Sequence, residues 1–231
     1  DVERSRGLGD VYKRQVLEQI SGACEFFNRE KSEIKLLPVT KNWPSGVVQY
    51  CKDVGIDTVG ENRVQEALQK QKEVQGMKWE LIGHLQSNKI KQVVGRFERI
   101  QTVDSEKLIT KIQTFAERTN SVCKILLQVN AGKDPAKYGC SIEHSESLLE
   151  RALNCPNLQV DGLMTIAPYS PDNSSIAKNS FETLRLLRDD LNEKFEVRLD
   201  ELSMGMSGDL SEAVECGSTM IRVGTSLFGN R

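Results

Sequence analysis

The sequence lacks several features that mark common functional classes. Its 231 residues include only two histidines, His84 and His144, and no HExxH or CxxC motif. We therefore expect no metal site and no thiol redox motif. No apolar run approaches the roughly 20 residues of a transmembrane helix, so we expect neither a membrane span nor a secretory signal. The 31 basic residues balance 33 acidic ones, which argues against nucleic acid or an anionic membrane surface as a partner.

The composition is typical of a globular protein. The chain is 38% hydrophobic, which is too apolar for a disordered protein. A single domain of this length can bury a large core. The six cysteines are scattered along the sequence and are expected to be reduced thiols. We therefore expect a cytoplasmic protein, although an organelle is an open alternative.

The first residues do not fit this picture. The segment 10–15 reads DVYKRQ, the peptide that a common transposon end of sequencing libraries encodes. We therefore expect residues 1–15 to be a non-native or disordered tail and residues 16–231 to form the domain. A natural polar tail is the alternative.

From Val16 onward the apolar pattern alternates between helical and strand periods. A first helix is predicted over 16–29. Eight strands are predicted at 34–40, 56–59, 79–82, 99–103, 122–130, 158–163, 199–203 and 219–223. Each is followed by a helix or helical turn, the last near 225–228.

This strict alternation predicts an α/β fold with a parallel sheet. Eight units in about 215 residues favour a single-domain (β/α)8 TIM barrel with one extra N-terminal helix. A doubly wound open sheet is the second choice, weakened because no GxGxxG motif follows the first strand. The polar stretch 130–139 could be a mobile loop over the barrel mouth.

Chemistry is expected where the strands of such a barrel end. Lys41 directly follows the first strand, where a buried lysine can form a Schiff base; by itself it is more simply a surface charge. Asn62, after the second strand, could cap the next helix or contact a ligand. The segment around Ser207 and the pair Gly224 and Thr225 open helices after strands seven and eight. Their N–H groups could bind an anion, or these residues could be ordinary caps.

Two such helix starts on neighbouring strands favour a phosphorylated ligand. A lysine opposite a phosphate site suggests pyridoxal 5′-phosphate (PLP). Arg222, on the last strand, would face the pyridine nitrogen of PLP and keep it unprotonated, or it would be a salt-bridged arginine of the barrel. A barrel that binds phosphosugars and uses Lys41 only as a charge is a further alternative.

Five segments resemble the YggS/PROSC family of pyridoxal phosphate homeostasis proteins: LLPVTKNWP, VGENRVQE, WELIGHLQSNK, VDGLMTIAP and LSMGMSGDLSEAVECGSTMIRVGTSLFG. The family barrel is similar to the N-terminal domain of alanine racemase, a PLP fold-type III barrel. The resemblance extends from residue 16 to the end. Two segments depart from the family pattern: TKNWP replaces SKTKP or SKTVP, and Glu80 stands where the family's WHFIG has a histidine.

The resemblance implies that PLP forms a Schiff base with Lys41. It implies that Ser207 and the backbone N–H groups of Gly224 and Thr225 hold the phosphate, and that Arg222 faces the pyridine nitrogen.

The resemblance also implies positions around the cofactor for residues outside these contacts. Asn62, Met204 and Met206 are expected beside the cofactor. His84 and Asn88 are expected near the rim.

The function that the resemblance implies is PLP homeostasis, meaning buffering or delivery of the cofactor, with apo PLP-dependent enzymes as candidate recipients. The alternative is a PLP-dependent amino-acid racemase. Two-base racemisation needs an acid/base group on each face of the substrate. In similar racemases the second base is a tyrosine on a C-terminal domain, whereas this sequence ends soon after the eighth strand. We therefore expect a monomer without significant turnover and with no catalytic residue; His84, Tyr138 and Cys140 are candidate substitutes for the second base.

Overall fold

The computed structural model describes the backbone of residues 2–229 and the side chains of residues 11–229. The helices are α1 Val2–Phe26, α2 Ser45–Asp53, α3 Val64–Glu73, α4 Ile90–Val93, α5 Glu106–Arg118, α6 Ile142–Leu153, α7 Ser174–Phe195, α8 Leu210–Glu215 and α9 Thr225–Phe228. The strands are β1 Lys35–Pro38, β2 Thr58–Glu61, β3 Lys78–Leu81, β4 Arg99–Val103, β5 Cys123–Gln128, β6 Leu158–Met164, β7 Glu201–Ser203 and β8 Met220–Val223. Short 3₁₀ turns lie at Lys31–Glu33 and Ser87–Lys89.

The eight strands form one parallel sheet that closes on itself. Their order is β1-β8-β7-β6-β5-β4-β3-β2. The two end strands meet through a bridge between Val39 and Gly60, where the amide of Thr40 donates to the carbonyl of Gly60 at 3.0 Å. This confirms the predicted (β/α)8 barrel, since an open doubly wound sheet would leave both edges unpaired.

Helix α1 is longer than predicted. It begins at Val2 rather than at residue 16, and Val16, Ile20 and Cys24 pack it into the core as the periodicity predicts. Residues 2–15 are therefore helical in this structure. Whether they belong to the native protein stays a prediction, and Asp1 lies outside the described residues.

Two apolar clusters show which way the strands face. The larger cluster fills the space between the sheet and the surrounding helices. A small separate cluster contains Leu37 and Val39 of the β1 segment, together with Ile82 and Met220. Because side chains alternate along a strand, this smaller cluster marks the barrel interior, and Thr40 faces the helices instead.

The amino-terminal end of the barrel is closed by paired charges. The buried guanidinium of Arg99 lies 2.9 Å from Glu80, 3.1 Å from Asp161 and 3.7 Å from Glu201, and Lys35 pairs with Glu201. Burial opposes the charge of Arg99, but the three carboxylates outweigh it and raise the pKa of Arg99 above its usual range. A cavity of about 780 Å³ opens here. In (β/α)8 barrels the residues at the amino-terminal ends of the strands contribute to stability, whereas ligands bind at the carboxyl-terminal ends.

The stretch 130–139 is anchored to the end of β5 by hydrogen bonds. The amide of Asn130 donates to the carbonyl of Cys140, and the amide of Cys140 donates to the carbonyl of Gln128, both at 2.9 Å. The side chain of Asn130 also bonds both backbone polar groups of Asp134. The side-chain amide of Asn130 thus forms a local turn with Asp134, and the mobility expected of this stretch stays a prediction.

Candidate functional site

The carboxyl ends of β1 and β8 place two predicted site segments side by side. Leu37 pairs with Arg222 and Pro38 with Val223, and the amide of Val39 then donates to the carbonyl of Val223 at 2.7 Å. The segments that follow, with Lys41 on one and Thr225 on the other, therefore leave the barrel together.

Lys41 is carried on a turn at the barrel mouth. The interior positions of Leu37 and Val39 put Lys41 in phase with the barrel interior, and its side chain is half-buried. The ring of Trp43, two residues on, contacts the ring of Phe228 edge-to-face, with centroids 5.9 Å apart. This contact ties the turn to α9.

Arg222 is buried in the interior without an acidic partner. Its Nη1 donates to Ser203 Oγ at 2.7 Å and its Nη2 to the carbonyl of Thr165 at 2.8 Å. Among the residues that the structure describes, no carboxylate lies within 4.0 Å of it. Burial lowers the pKa of Arg222 to about 10, although the charges of Asp209 and Glu80 oppose this. Arg222 is therefore not the salt-bridged arginine of the alternative interpretation. Because a guanidinium has five N–H donors, Arg222 can also donate to a further acceptor.

A chain of polar side chains supports Arg222 from within the barrel. Ser203 Oγ donates to Gln101 Oε1 at 2.6 Å, and Gln101 Nε2 donates to Glu80 Oε2 at 2.5 Å. Our sequence reasoning missed Thr165, Gln101 and the role of Ser203. The available signal was a polar residue in a strand that is buried throughout, as in RIQTV of β4.

The predicted phosphate segments lie at the same end. Ser207 and Thr225 are exposed and Gly224 is half-buried. Gly224 precedes the first residue of α9, and the first N–H groups of a helix have no acceptor within it. Gly205 has φ +96°, and a Cβ there would lie 2.4 Å from Ala213 Cβ, so only glycine fits this turn.

The alternative interpretation, that these residues are ordinary N-terminal helix caps, does not agree with the structure. The residue before α8 is Asp209, but its carboxylate accepts from the amide of Met206 at 2.6 Å rather than from the helix. The residue before α3 is Arg63, not Asn62. Reading Asn62 as a cap is therefore wrong, and its amide is not committed to the helix.

Asn62 is held by close packing of two loops. A Cβ on Gly83 would lie 2.1 Å from the carbonyl oxygen of Asn62, and Thr102 Oγ1 donates to the carbonyl of Gly83 at 2.8 Å. The glycine of the IGH segment thus lets the loop after β3 pack against the GEN segment.

The methionines differ in position. Met204 is fully buried in the larger core cluster, whereas Met206 is 38% exposed. That Met204, Met206 and Asn62 line a cofactor site stays a prediction, as do the roles of the other site residues.

The candidates for a second acid/base group, His84, Tyr138 and Cys140, lie on one side of the barrel rim. The exposed ring of His84 stacks on Tyr138, with centroids 4.3 Å apart, and His84 Nδ1 lies 4.0 Å from Asp104 Oδ2. Asp104 and Cys140 line one cavity of about 260 Å³. Burial raises the pKa of Asp104, and it raises the pKa of the Cys140 thiol to about 12, so this thiol is protonated at neutral pH. Asn88 is exposed on the short turn before α4.

No cluster of three or more histidine, cysteine or acidic side chains that could hold a metal ion is found among the described residues. No helix in the described part of the chain is long and apolar enough to cross a membrane.

Comparison with known proteins points the same way as the geometry. A family model described as "Alanine racemase, N-terminal domain" matches residues 25–231. A pyridoxal phosphate homeostasis protein of Aquifex aeolicus is 41% identical over 219 residues, covering 94% of this chain and 96% of the relative. The structure of PipY from Synechococcus elongatus with PLP bound has a TM-score of 0.80 and 34% identity, covering 91% of this chain and all of that one. An alanine racemase of Clostridium difficile shares the fold alone, with a TM-score of 0.76 and 13% identity, over 93% of this chain and 56% of that one.

Proposed function

Since the chain belongs to the family of pyridoxal phosphate homeostasis proteins, we propose that it binds PLP in the barrel mouth and buffers or delivers this cofactor. The observation that carries the proposal is Arg222, a buried cation with no carboxylate partner among the described residues, paired in register with the strand that leads to Lys41. A barrel that keeps such a donor at its mouth is suited to a ligand that brings its own acceptor. The PLP-bound structure of PipY supports the proposal.

The residues at the mouth fit the chemical groups of PLP. PLP supplies an aldehyde that reacts with amines, together with a phosphate and a pyridine nitrogen. Lys41 would hold the aldehyde carbon as a Schiff base. Ser207 and the N–H groups of Gly224 and Thr225 would hold the phosphate. Arg222 would donate to the pyridine nitrogen.

We propose further that turnover is not the function. Even with its lowered pKa of about 10, Arg222 keeps its proton at neutral pH and leaves the ring nitrogen unprotonated, which weakens PLP as an electron sink. The names of the relatives support this reading, because they describe homeostasis proteins. The racemase alternative is favoured only by the His84–Asp104 pair, an imidazole within 4.0 Å of a carboxylate at the rim.

The covalent site is tested by trapping. PLP-loaded protein is reduced with borohydride, digested and analysed by mass spectrometry. We expect the pyridoxyl group on Lys41, and we expect Lys41→Ala to lose both the label and the visible absorbance. Lys52→Ala, an exposed lysine of α2, is the matched control and should keep both. A label mainly on Lys89 or Lys137 would refute the assignment, and a wild-type protein without any visible absorbance would favour the phosphosugar alternative.

The absence of turnover is tested by isotope exchange. Holo-protein is incubated with L- or D-alanine in D₂O, and the α-proton is followed by NMR. We expect no exchange above the Lys41→Ala background, because one missing acid/base group lowers a rate by about 10²–10⁴-fold. Rapid exchange with inversion that depends on Lys41 would restore the racemase.

The remaining parts of the proposal concern the setting of the protein. We propose a monomer in the cytoplasm that passes PLP to apo PLP-dependent enzymes. Light scattering during size-exclusion chromatography tests the monomer. Transfer is tested by mixing the holo-protein with an apo PLP-dependent enzyme and measuring the recovered activity. A rate no faster than that with free PLP released by the protein would argue for buffering alone.

A further inference from the structure

The two residues that flank Lys41 are tied to the same group of charges. The carbonyl of Thr40 accepts from Lys70 Nζ at 2.7 Å, and Thr40 Oγ1 donates to Glu61 Oε1 at 2.7 Å. On the other side, the amide of Asn42 donates to Glu66 Oε1 at 2.5 Å. Both ends of the turn that carries Lys41 are therefore anchored by side chains of β2 and α3.

The ammonium of Lys70 joins these anchors into one network. Besides the carbonyl of Thr40, it donates to Glu61 Oε1 at 2.5 Å and to Glu66 Oε1 at 2.8 Å. These three contacts use all three donors of an ammonium group. Lys70 is 5% exposed and Glu61 is fully buried, so neither charge has water to replace a lost partner.

The network lies outside the ligand space. Thr40 faces the helices, and Lys70 reaches it from α3, whereas Lys41 is in phase with the barrel interior. Glu61 makes its contacts through Oε1 alone, since its buried Oε2 has no partner. The position of Glu61 therefore depends on Thr40 and Lys70, and the network has no described contact with the proposed phosphate residues.

We propose that Lys70, acting with Glu61 and Glu66, is a positioning residue that fixes the turn carrying Lys41 so that its amine meets the aldehyde carbon of PLP. This inference rests on the proposed function. In the step concerned, the neutral amine of Lys41 would bond to the aldehyde carbon, the C=O bond would break as a C=N bond forms, and the two amine protons would leave with the oxygen as water. Such a step is sensitive to placement, because a displacement of about 1 Å can lower a rate by about 10²-fold.

The test compares two ligands in a variant that loses the charges together. Glu61→Gln/Lys70→Met removes both charges, and the glutamine oxygen can still accept from Thr40. PLP is compared with pyridoxine 5′-phosphate, whose alcohol in place of the aldehyde cannot form a C=N bond. We expect the rate of covalent attachment to Lys41, followed by stopped-flow absorbance, to fall at least about 10-fold. The affinity for pyridoxine 5′-phosphate should stay within about twofold of wild type, because the residues proposed to hold its phosphate and its ring lie outside the turn.

A control and a second variant keep the comparison decisive. Lys78→Met removes an exposed ion pair with Asp57 at the start of β3, and both ligands should bind it as they bind wild type. Should the double variant fail to fold, Glu66→Ala is used instead. It removes the anchor of Asn42 and leaves the buried Glu61–Lys70 pair intact, and it should slow attachment of PLP selectively, by a smaller factor.

The possible results separate the two proposals. Attachment at the wild-type rate in the folded variant would overturn the positioning role while the proposed function stands. Equal weakening of both ligands would also overturn it, since the network would then support the whole pocket. A wild-type protein that never attaches PLP to Lys41 would overturn the proposed function and the positioning role with it.

Discussion

Replacing Arg222 with methionine should destabilise the ligand-free protein only modestly, although the side chain is 4% exposed. Burial lowers the pKa of Arg222 to about 10, which is two to three powers of ten below the usual value of a guanidinium. At about 1.4 kcal/mol for each power of ten, holding this charge costs roughly 3–4 kcal/mol. The two hydrogen bonds to Ser203 and Thr165 contribute about 1.5–3 kcal/mol each. The contributions largely cancel, so we expect a loss of about 1 kcal/mol and of no more than about 3 kcal/mol.

The pH dependence of this cost has a definite sign. In the unfolded chain the guanidinium has its usual, higher pKa. Below about pH 10 it is charged in both states and the full cost of burial is present. The cost disappears only as the pH rises from about 10 toward the pKa of the guanidinium in the unfolded chain. In that range the unfolded chain binds more protons than the folded protein. Measurements at pH 7 and pH 8 should therefore agree.

Arg99 provides the matched control, because it is an equally buried arginine with carboxylate partners. Arg99→Met would leave Glu80 and Asp161 without their cation, and breaking a buried pair in this way costs about 3–5 kcal/mol. Urea unfolding of both variants without ligand, followed by circular dichroism and fitted with a common slope, measures the contrast. If Arg222→Met loses as much stability as Arg99→Met, then Arg222 has a structural partner, and our reasoning about a donor reserved for PLP is refuted.

Three further predictions follow from local geometry. Gly83→Ala should destabilise the protein by several kcal/mol, because its Cβ would overlap a backbone carbonyl. Gly46→Ala, in open space on α2, should instead raise the melting temperature slightly. Equal thermal shifts of the two variants would contradict this. Burial raises the pKa of Cys51 and Cys123 to about 12, so a thiol reagent at pH 8 should label them only after unfolding; rapid labelling of the native protein would contradict it. Ser207→Ala should weaken PLP by about 10-fold or more while leaving pyridoxal unaffected; an equal loss for both ligands would exclude a phosphate contact.

The strands could be predicted because buried parallel strands are continuous apolar runs. The prediction of 99–103 coincides with β4, Arg99–Val103, and the other strands differ by a few residues at their ends. The start of α1 at Val2 was not predicted, because the first residues lack an apolar period. The hydrogen bonds of a helix are local and form without such a period.

Only the site residues at or just after the end of a strand could be predicted from the sequence. Lys41 and Arg222 follow from their places at β1 and β8. Their supports do not, because Ser203 and Gln101 are 102 residues apart in the sequence and meet only once the barrel closes. Lys70 had a local signal: it lies three residues after buried Ala67 on α3, so a charged side chain occupies the apolar face of a helix.

The two ends of the barrel use buried charge differently, and one residue connects them. Glu80 pairs with Arg99 at the closed end, and through Gln101 and Ser203 it is also linked to Arg222. Its negative charge raises the pKa of Arg222 against the effect of burial. In the segment WELIG, Glu80 stands where the family pattern has a histidine, which would supply no negative charge. In this chain the charges of Asp209 and Glu80 therefore both favour the protonated guanidinium of Arg222 against the effect of burial, and Glu80 makes its contribution through the interior of the barrel.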